Sequence, residues 1–285
     1  MATPLLVSYN PASSAGLSLD HIAYLGRALL KVSSLAQAED FLRQYFRRLD
    51  VYIDATDISS SGDIVDLLNA GAAKVFVSFD QLTALSQEQS VPSDRLAVFT
   101  SSDSQIDTFR KWVAEDPERK DAGLCVESAT KALADKLGIN IEAQNLYQTY
   151  PDNASVTEKA IKETLNKGAV SIIAAQALTL ERNPTDGKIT VASLVAARAV
   201  ADQNNGLYAT IVTDERGLSL GLVWSSDESI AEAFRTGTGV YQSRKRGLWY
   251  KGQSSGDVQE LIRVGFDCDS DCLVFVVNQI GRGKY

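Results

Sequence analysis

Histidine is almost missing from this chain: of 285 residues, only His21 is one. That single copy excludes a His-rich metal site and any mechanism that needs several imidazoles. Cysteine is nearly as scarce, with Cys125, Cys268 and Cys272 alone. An odd, widely spaced set is no disulfide framework, so the expected compartment is a reducing cytoplasm. Positive charge is in deficit, since 28 Lys and Arg against 36 Asp and Glu leave a net −8. A general nucleic-acid binder needs the opposite, a broad basic footprint. No apolar run is long enough to span a bilayer, and Met1–Asn10 lacks the basic region and long apolar core of a secretory signal. What is present, 45% hydrophobic and 22% charged residues, suffices for one large or two ordinary domains.

Two textures divide the chain. From the start to about Gln203, strands alternate with helices. Val51–Ala55, Lys74–Ser78, Leu96–Thr100 and Gly123–Val126 read as short buried strands. Ser61–Asn69, with Ile64, Leu67 and Leu68 at helical spacing, reads as an amphipathic helix stopped near Gly71. Gln105–Glu115 and Ser128–Leu137 supply further helices, and Pro151–Asn153 and Asn183–Gly187 are polar turns. Such alternation implies parallel strands with helical crossovers. Ile64–Ser78 also lines up with Ile161–Ala175, each a helix, an Asn-x-Gly-Ala stop and a strand. Either βα units of a barrel or half barrel have been duplicated, or capping physics has made two junctions alike. Asp54 and Ser78 end strands of this region, where parallel sheets bind ligands, although most such residues are structural.

Ala201–Gly206 reads as a linker, giving an α/β domain over 1–203 and an α+β domain over 204–285. In the second, Leu207–Thr213 and Ser219–Val223 form an expected hairpin around Gly217. Ser225 and Glu228 have the spacing of a capping box for a helix that carries Ile230, Ala233 and Phe234 and closes at Gly237. Val240–Ser243, Gly247–Lys251, Leu261–Phe266 and Cys272–Val277 complete a mainly antiparallel sheet.

Three clusters in this second domain carry chemistry. Asp267-Cys268-Asp269-Ser270-Asp271 would, if extended, put three carboxylates on one face and the thiol on the other. Hard oxygens in a row suit Mg2+, and the lone soft donor Cys268 suits zinc. The plain alternative is a solvated acidic turn with a buried Cys. The same extended geometry would hold Cys268 and Cys272 about 13 Å apart, too far for one zinc. Arg244 and Arg246 would share a strand face able to grip a phosphate, or protect a sheet edge by charge. Trp249 could stack on a base or fill the core. Lys251 adds charge, and Ser254-Ser255-Gly256 offers hydroxyls and backbone N–H groups as an anion nest.

In order and spacing, Ser243-Arg-x-Arg246, Trp249, Lys251-Gly252, Ser255-Gly256 and Asp267-Cys-Asp-x-Asp271 resemble the signature of phosphoribosyl-AMP cyclohydrolases, over Gly206–Gly283. Gly206–Val212 and Gly221–Ser226 look most like the version in the N-terminal part of fungal multifunctional histidine-biosynthesis proteins. The resemblance implies hydrolytic opening of the adenine ring of phosphoribosyl-AMP between N1 and C6 by zinc-activated water, in a homodimer. It implies Mg2+ on Asp267, Asp269 and Asp271, zinc on Cys268, and substrate phosphates on Arg244, Arg246, Lys251, Ser255 and Gly256. Family members take two more zinc thiolates and a histidine from a following Cys-His…Ser-Cys-Phe segment. This sequence stops at Tyr285 before any such segment. The expectation is therefore weak zinc binding and little turnover by this polypeptide. The alternative role is a non-catalytic chain that binds phosphoribosyl nucleotides or pairs with intact subunits.

Overall fold

The computed structural model describes residues 3–13, 15–45, 47–88, 91–127, 145–150 and 157–281. The helix expected at Ser128–Leu137, the turn at Pro151–Asn153 and the end of the chain from Arg282 lie outside the described residues. The chain divides into two compact units: one of residues 4–13 and 27–174, the other of 1–3, 14–26 and 175–285.

The first unit is a closed barrel of eight parallel strands in sequence order. They are β1 (Leu5–Tyr9), β2 (Arg27–Lys31), β3 (Asp50–Asp54), β4 (Lys74–Val77), β5 (Leu96–Thr100), β6 (Gly123–Glu127), β7 (Leu146–Thr149) and β8 (Val170–Ala174). The barrel closes where β1 pairs with β8, Leu6 beside Ile172. Strands buried on both faces need continuous apolar runs rather than alternation, and β4 is buried at all four positions. Inward side chains fill the lumen: Leu6, Leu29, Tyr52, Phe76, Cys125, Tyr147 and Ile172, with Phe76 and Tyr147 in edge contact at 4.9 Å. Of the sequence alternatives, the closed barrel is the one adopted.

Helix α1 (Leu19–Ala23) falls between β1 and β2 in the chain but belongs to the second unit. Helices α2 (Leu35–Tyr45), α3 (Ser61–Asn69), α4 (Phe79–Glu88), α5 (Asp103–Ala114) and α6 (Glu158–Asn166) connect barrel strands. Ser60, Ser102 and Thr157 cap α3, α5 and α6 by accepting the N–H three residues on. The repeated segments are α3–β4 and α6–β8 of the one barrel. Each turns on a glycine at positive φ, Gly71 at 108° and Gly168 at 80°.

The second unit opens with β9 (Leu178–Thr179) and β10 (Ile189–Thr190), a short parallel pair, followed by α7 (Val191–Arg198). Its main sheet runs β12-β11-β16-β15, from β11 (Tyr208–Thr213), β12 (Ser219–Ser225), β15 (Gln259–Phe266) and β16 (Cys272–Gln279). Between β12 and β15 come α8 (Asp227–Thr236) and a separate hairpin of β13 (Val240–Ser243) and β14 (Gly247–Tyr250).

The sheet is mixed rather than mainly antiparallel. β11–β12 and β15–β16 are antiparallel, but β16 runs parallel to β11. The long excursion through α8 and the hairpin returns the chain so that β16 enters beside β11 in the same direction. Alternation within a strand carries no information on that choice. The capping box is also one residue later than expected. Ser226 N–H donates to Ser229 Oγ at 2.8 Å, and Ser229 N–H donates to Ser226 Oγ at 3.2 Å. Ser225 ends β12 instead, where it receives the Thr210 hydroxyl at 2.7 Å.

One face of the sheet is core: Thr210, Val212, Leu273, Phe275 and Val277 are buried, with Tyr241 packed 5.7 Å from Phe275. The other face is partly open and apolar. It carries Ile211, Trp224, Val274 and Val276, and Leu222 at 73% exposure. Residues 201–206, read as a linker, are a turn within this unit: Asp202 N–H donates to the Leu207 carbonyl and Gly206 N–H to the Asp202 carbonyl. Segment 15–26 is built into the same unit. Val264 N–H donates to the Tyr24 carbonyl at 2.8 Å, and the Tyr24 ring lies 6.2 Å from Phe234. Among the described residues no helix is long and apolar enough to cross a membrane.

Candidate functional site

The acidic cluster is a turn, not a strand. β15 stops at Phe266 and β16 begins at Cys272, and residues 267–271 wrap between them. Asp267 N–H donates to the Cys272 carbonyl at 3.0 Å, and Cys272 N–H donates to Asp267 Oδ1 at 3.2 Å. Ser270 takes the left-handed φ of 66° that lets the chain reverse, and its carbonyl accepts the Val200 N–H at 2.8 Å. The strand-face alternation expected for Asp267, Asp269 and Asp271, and the 13 Å spacing of Cys268 and Cys272, therefore do not apply.

The three carboxylates still converge, for a different reason: wrapping the turn brings one oxygen from each within 4.8 Å of the others. Asp271 is pushed up by the Asp267 side chain and by the charges of Asp269 and Asp267. Burial pushes Asp267 up too, but the Cys272 N–H, the Asp271 side chain and the Ser270 N–H together hold it below the usual carboxylate range. A divalent cation would relieve this mutual repulsion, and an all-oxygen donor set fits Mg2+. Cys268 is exposed, with Asp269 Oδ1 4.0 Å from its sulfur. Among the described residues no cluster of three His, Cys, Asp or Glu ligand atoms includes it. A zinc site takes at least three protein ligands, so the described donors do not fit that ion.

Arg244, Lys245 and Arg246 form the turn of the β13–β14 hairpin rather than a strand face. Ser243 ends β13, and its Oγ accepts the N–H groups of Lys245 and Arg246 at 3.4 and 3.2 Å, which tightens the turn. Two indoles hold the arginines: Arg244 lies 5.7 Å from the Trp224 ring centre and Arg246 lies 6.0 Å from that of Trp249. Trp249 also packs 6.1 Å from Tyr241, so it is partly core and partly a platform. Trp224 carries no motif signal, because its partnership with Arg244 is tertiary.

Sheet register decides which clusters meet. Trp224, Ala209 and Cys272 form one row across β12, β11 and β16. Two strand spacings put the end of the acidic turn about 10 Å from the backbone of Trp224, on whose ring Arg244 rests. Lys251, Ser255 and Gly256 are at the far end. They precede β15, whose eight residues separate them from the aspartates by about 23 Å along the strand. Lys251 N–H donates to the Gly239 carbonyl, Gly256 N–H to the Gly252 carbonyl at 2.8 Å, and Asp257 N–H to Ser255 Oγ at 3.2 Å. Of the amides expected to cradle an anion there, that of Gly256 is thus taken within the loop. Gly252, at φ 84°, admits no side chain because a Cβ would overlap the Asp257 carbonyl.

His21 lies in α1, 6.2 Å ring to ring from Tyr24. In the barrel, Asp54 accepts the Thr56 N–H and hydroxyl at 3.1 and 2.6 Å, and Ser78 Oγ accepts the Gln81 N–H at 3.3 Å. Both therefore brace local turns.

Residues 221–283 match the phosphoribosyl-AMP cyclohydrolase family. Over 273 residues, 94% of this chain, it is 36% identical to a histidine biosynthesis trifunctional protein of Neurospora crassa. Over 284 residues, 96% of the chain, it is 34% identical to a histidine biosynthesis bifunctional protein of Schizosaccharomyces pombe. Over 79 residues it is 42% identical to a phosphoribosyl-AMP cyclohydrolase of Paracoccus denitrificans, covering 27% of this chain and 65% of that protein. The chain spans 30% of the Neurospora protein's length and 66% of the Schizosaccharomyces protein's. Residues 221–283 therefore belong to the phosphoribosyl-AMP cyclohydrolase family, in a chain related along nearly its whole length to fungal multifunctional histidine-biosynthesis proteins.

Proposed function

We propose that the second unit binds phosphoribosyl-AMP and opens its adenine ring by hydrolysis between N1 and C6, a step of histidine biosynthesis. The observation that carries this reading is the convergence of Asp267, Asp269 and Asp271 at the same sheet end as Arg244, inside the matched segment. The three aspartates would hold Mg2+, which when bound offsets the charge of a substrate phosphate. Arg244 and Arg246 would grip that phosphate, held ready by Trp224 and Trp249, and Trp249 would meet the base. Lys251, Ser255 and Gly256 would serve a more distant part of the substrate. Zinc on Cys268 is the expectation from resemblance; among the described residues no group of three converging ligand atoms includes that thiol, so no step is routed through it. The partly open apolar face around Leu222 supports a homodimer.

A second reading, binding without turnover, rests on Cys268 belonging to no group of three converging ligand atoms among the described residues. The two readings separate in one assay. Phosphoribosyl-AMP is added to the purified chain with Mg2+, and ring opening is followed by absorbance while binding is followed by calorimetry. Binding with turnover supports the first reading and binding alone the second. Absence of both removes each of them.

A further inference from the structure

The barrel has a cavity of about 420 Å3 at the carboxyl ends of β4 to β7, lined among others by Phe79, Asp80, Phe99, Ser101, Glu127 and Thr149. Parallel barrels collect ligands at this end, where strand termini and the loops after them converge.

The polar atoms there are mostly acceptors. Thr100 Oγ1 donates to the Cys125 carbonyl at 3.1 Å and Thr149 Oγ1 donates to the Val126 carbonyl at 3.3 Å, so each hydroxyl has spent its one proton and keeps only acceptor capacity. Three donors that a phosphate would seek are taken. The Ser101 N–H and hydroxyl both go to Gln105 Oε1, at 2.9 and 3.3 Å, and the Ser78 N–H goes to Gln81 Oε1 at 2.6 Å. Asp80 and Glu127 are exposed carboxylates, and no Lys or Arg is among the described lining residues. A phosphate site at these strand ends is thereby disfavoured. A bare metal ion is disfavoured as well, because the one cluster of three converging ligand oxygens among the described residues is the acidic turn of the other unit. Phe79 and Phe99 add two ring walls.

We propose that this mouth binds a small organic cation, an ammonium or guanidinium group on an apolar stem. Asp80 and Glu127 receive its N–H donors, the threonine oxygens complete the shell, and the two phenyl rings flank the stem and the charge. The site is independent of the cyclohydrolase reading, since its lining residues all lie in the barrel unit.

The test is calorimetric titration of the full chain with agmatine, spermidine and histamine, in the parent protein and in Asp80→Asn/Glu127→Gln. Both substituted side chains are exposed, and circular dichroism checks that the fold is kept. At least one amine is expected to saturate a single site, to bind more weakly as NaCl rises, and to lose about tenfold or more in affinity in the double variant. Inorganic phosphate and ribose 5-phosphate are expected not to displace it. Failure of all three amines to saturate overturns the proposal, as does undiminished binding in the double variant or displacement by either phosphate.

Discussion

Asp267 and Cys272 hold each other across the acidic turn: the backbone N–H of each donates to the other residue, at 3.0 Å to the Cys272 carbonyl and at 3.2 Å to Asp267 Oδ1. Asp267 therefore does two jobs, as acceptor and as charge. Asp267→Asn keeps an oxygen for the Cys272 amide and removes the charge, so the fold should survive while Mn2+, as a probe for Mg2+, binds at least about tenfold more weakly. Asp267→Ala should also lose about 1–2 kcal/mol of stability from the unsatisfied amide. Paramagnetic titration and urea unfolding check the two effects separately.

Arg244 rests on Trp224 at 5.7 Å. Arg244→Ala should weaken phosphoribosyl-AMP binding by about ten- to a hundredfold, the usual worth of a charge-assisted contact. Trp224→Leu leaves the guanidinium in place but unsupported, and should cost only a few-fold, in line with about 0.5–1 kcal/mol for an exposed cation–π contact. Equilibrium binding to both variants gives the comparison.

Glu232 accepts two hydrogen bonds from Arg235 and one from the Tyr250 hydroxyl, and its pKa is held down at about 2, chiefly by Arg235. A depressed carboxylate stabilises the fold above its unfolded pKa and loses that contribution as pH falls toward the folded value. The second unit should therefore lose stability between about pH 4.5 and 2, and Glu232→Gln should flatten that part of the curve. Thermal melts across this range test it.

In the barrel, Lys74 is 6% exposed, lies 5.6 Å from the Tyr147 ring centre, and has its pKa lowered by burial to about 8. Between pH 8 and 9.5 the unfolded chain binds a proton that the native chain does not, so stability should rise with pH there. Lys74→Met should remove that rise and stabilise the barrel by about 1–2 kcal/mol at pH 7. Urea unfolding at pH 7 and 9.5 reads both effects.

Tyr24 lies 240 residues before Val264, yet its carbonyl accepts the Val264 N–H and its ring meets Phe234. Tyr24→Ala should destabilise the second unit by about 2–3 kcal/mol. Hydrogen exchange at Val264 and across β15 would localise that loss.

The sequence was most legible where one segment decides its own structure. Ser61–Asn69 and Leu96–Thr100 form as read, because apolar spacing and flanking caps act within a few residues. The barrel-like alternation was equally plain. Long-range contacts were not. Nothing local announces that 15–26 joins the second unit, that β16 enters parallel to β11, or that Trp224 carries Arg244. The aspartates were recognisable as a cluster, but Ser270 at positive φ makes a turn of what alternation suggested was a strand. Ser255 and Gly256 are near Asp267 in sequence and far from it in space because β15 runs between them.

The most direct test of the central claim is calorimetric titration of the full chain with phosphoribosyl-AMP, in Mg2+ and in EDTA. The test includes the parent protein and Asp267→Asn/Asp269→Asn/Asp271→Asn. Saturable one-to-one binding that needs Mg2+ and disappears in the triple variant is the predicted result. Equal binding in EDTA, equal binding by the triple variant, or no binding in any condition would contradict the account.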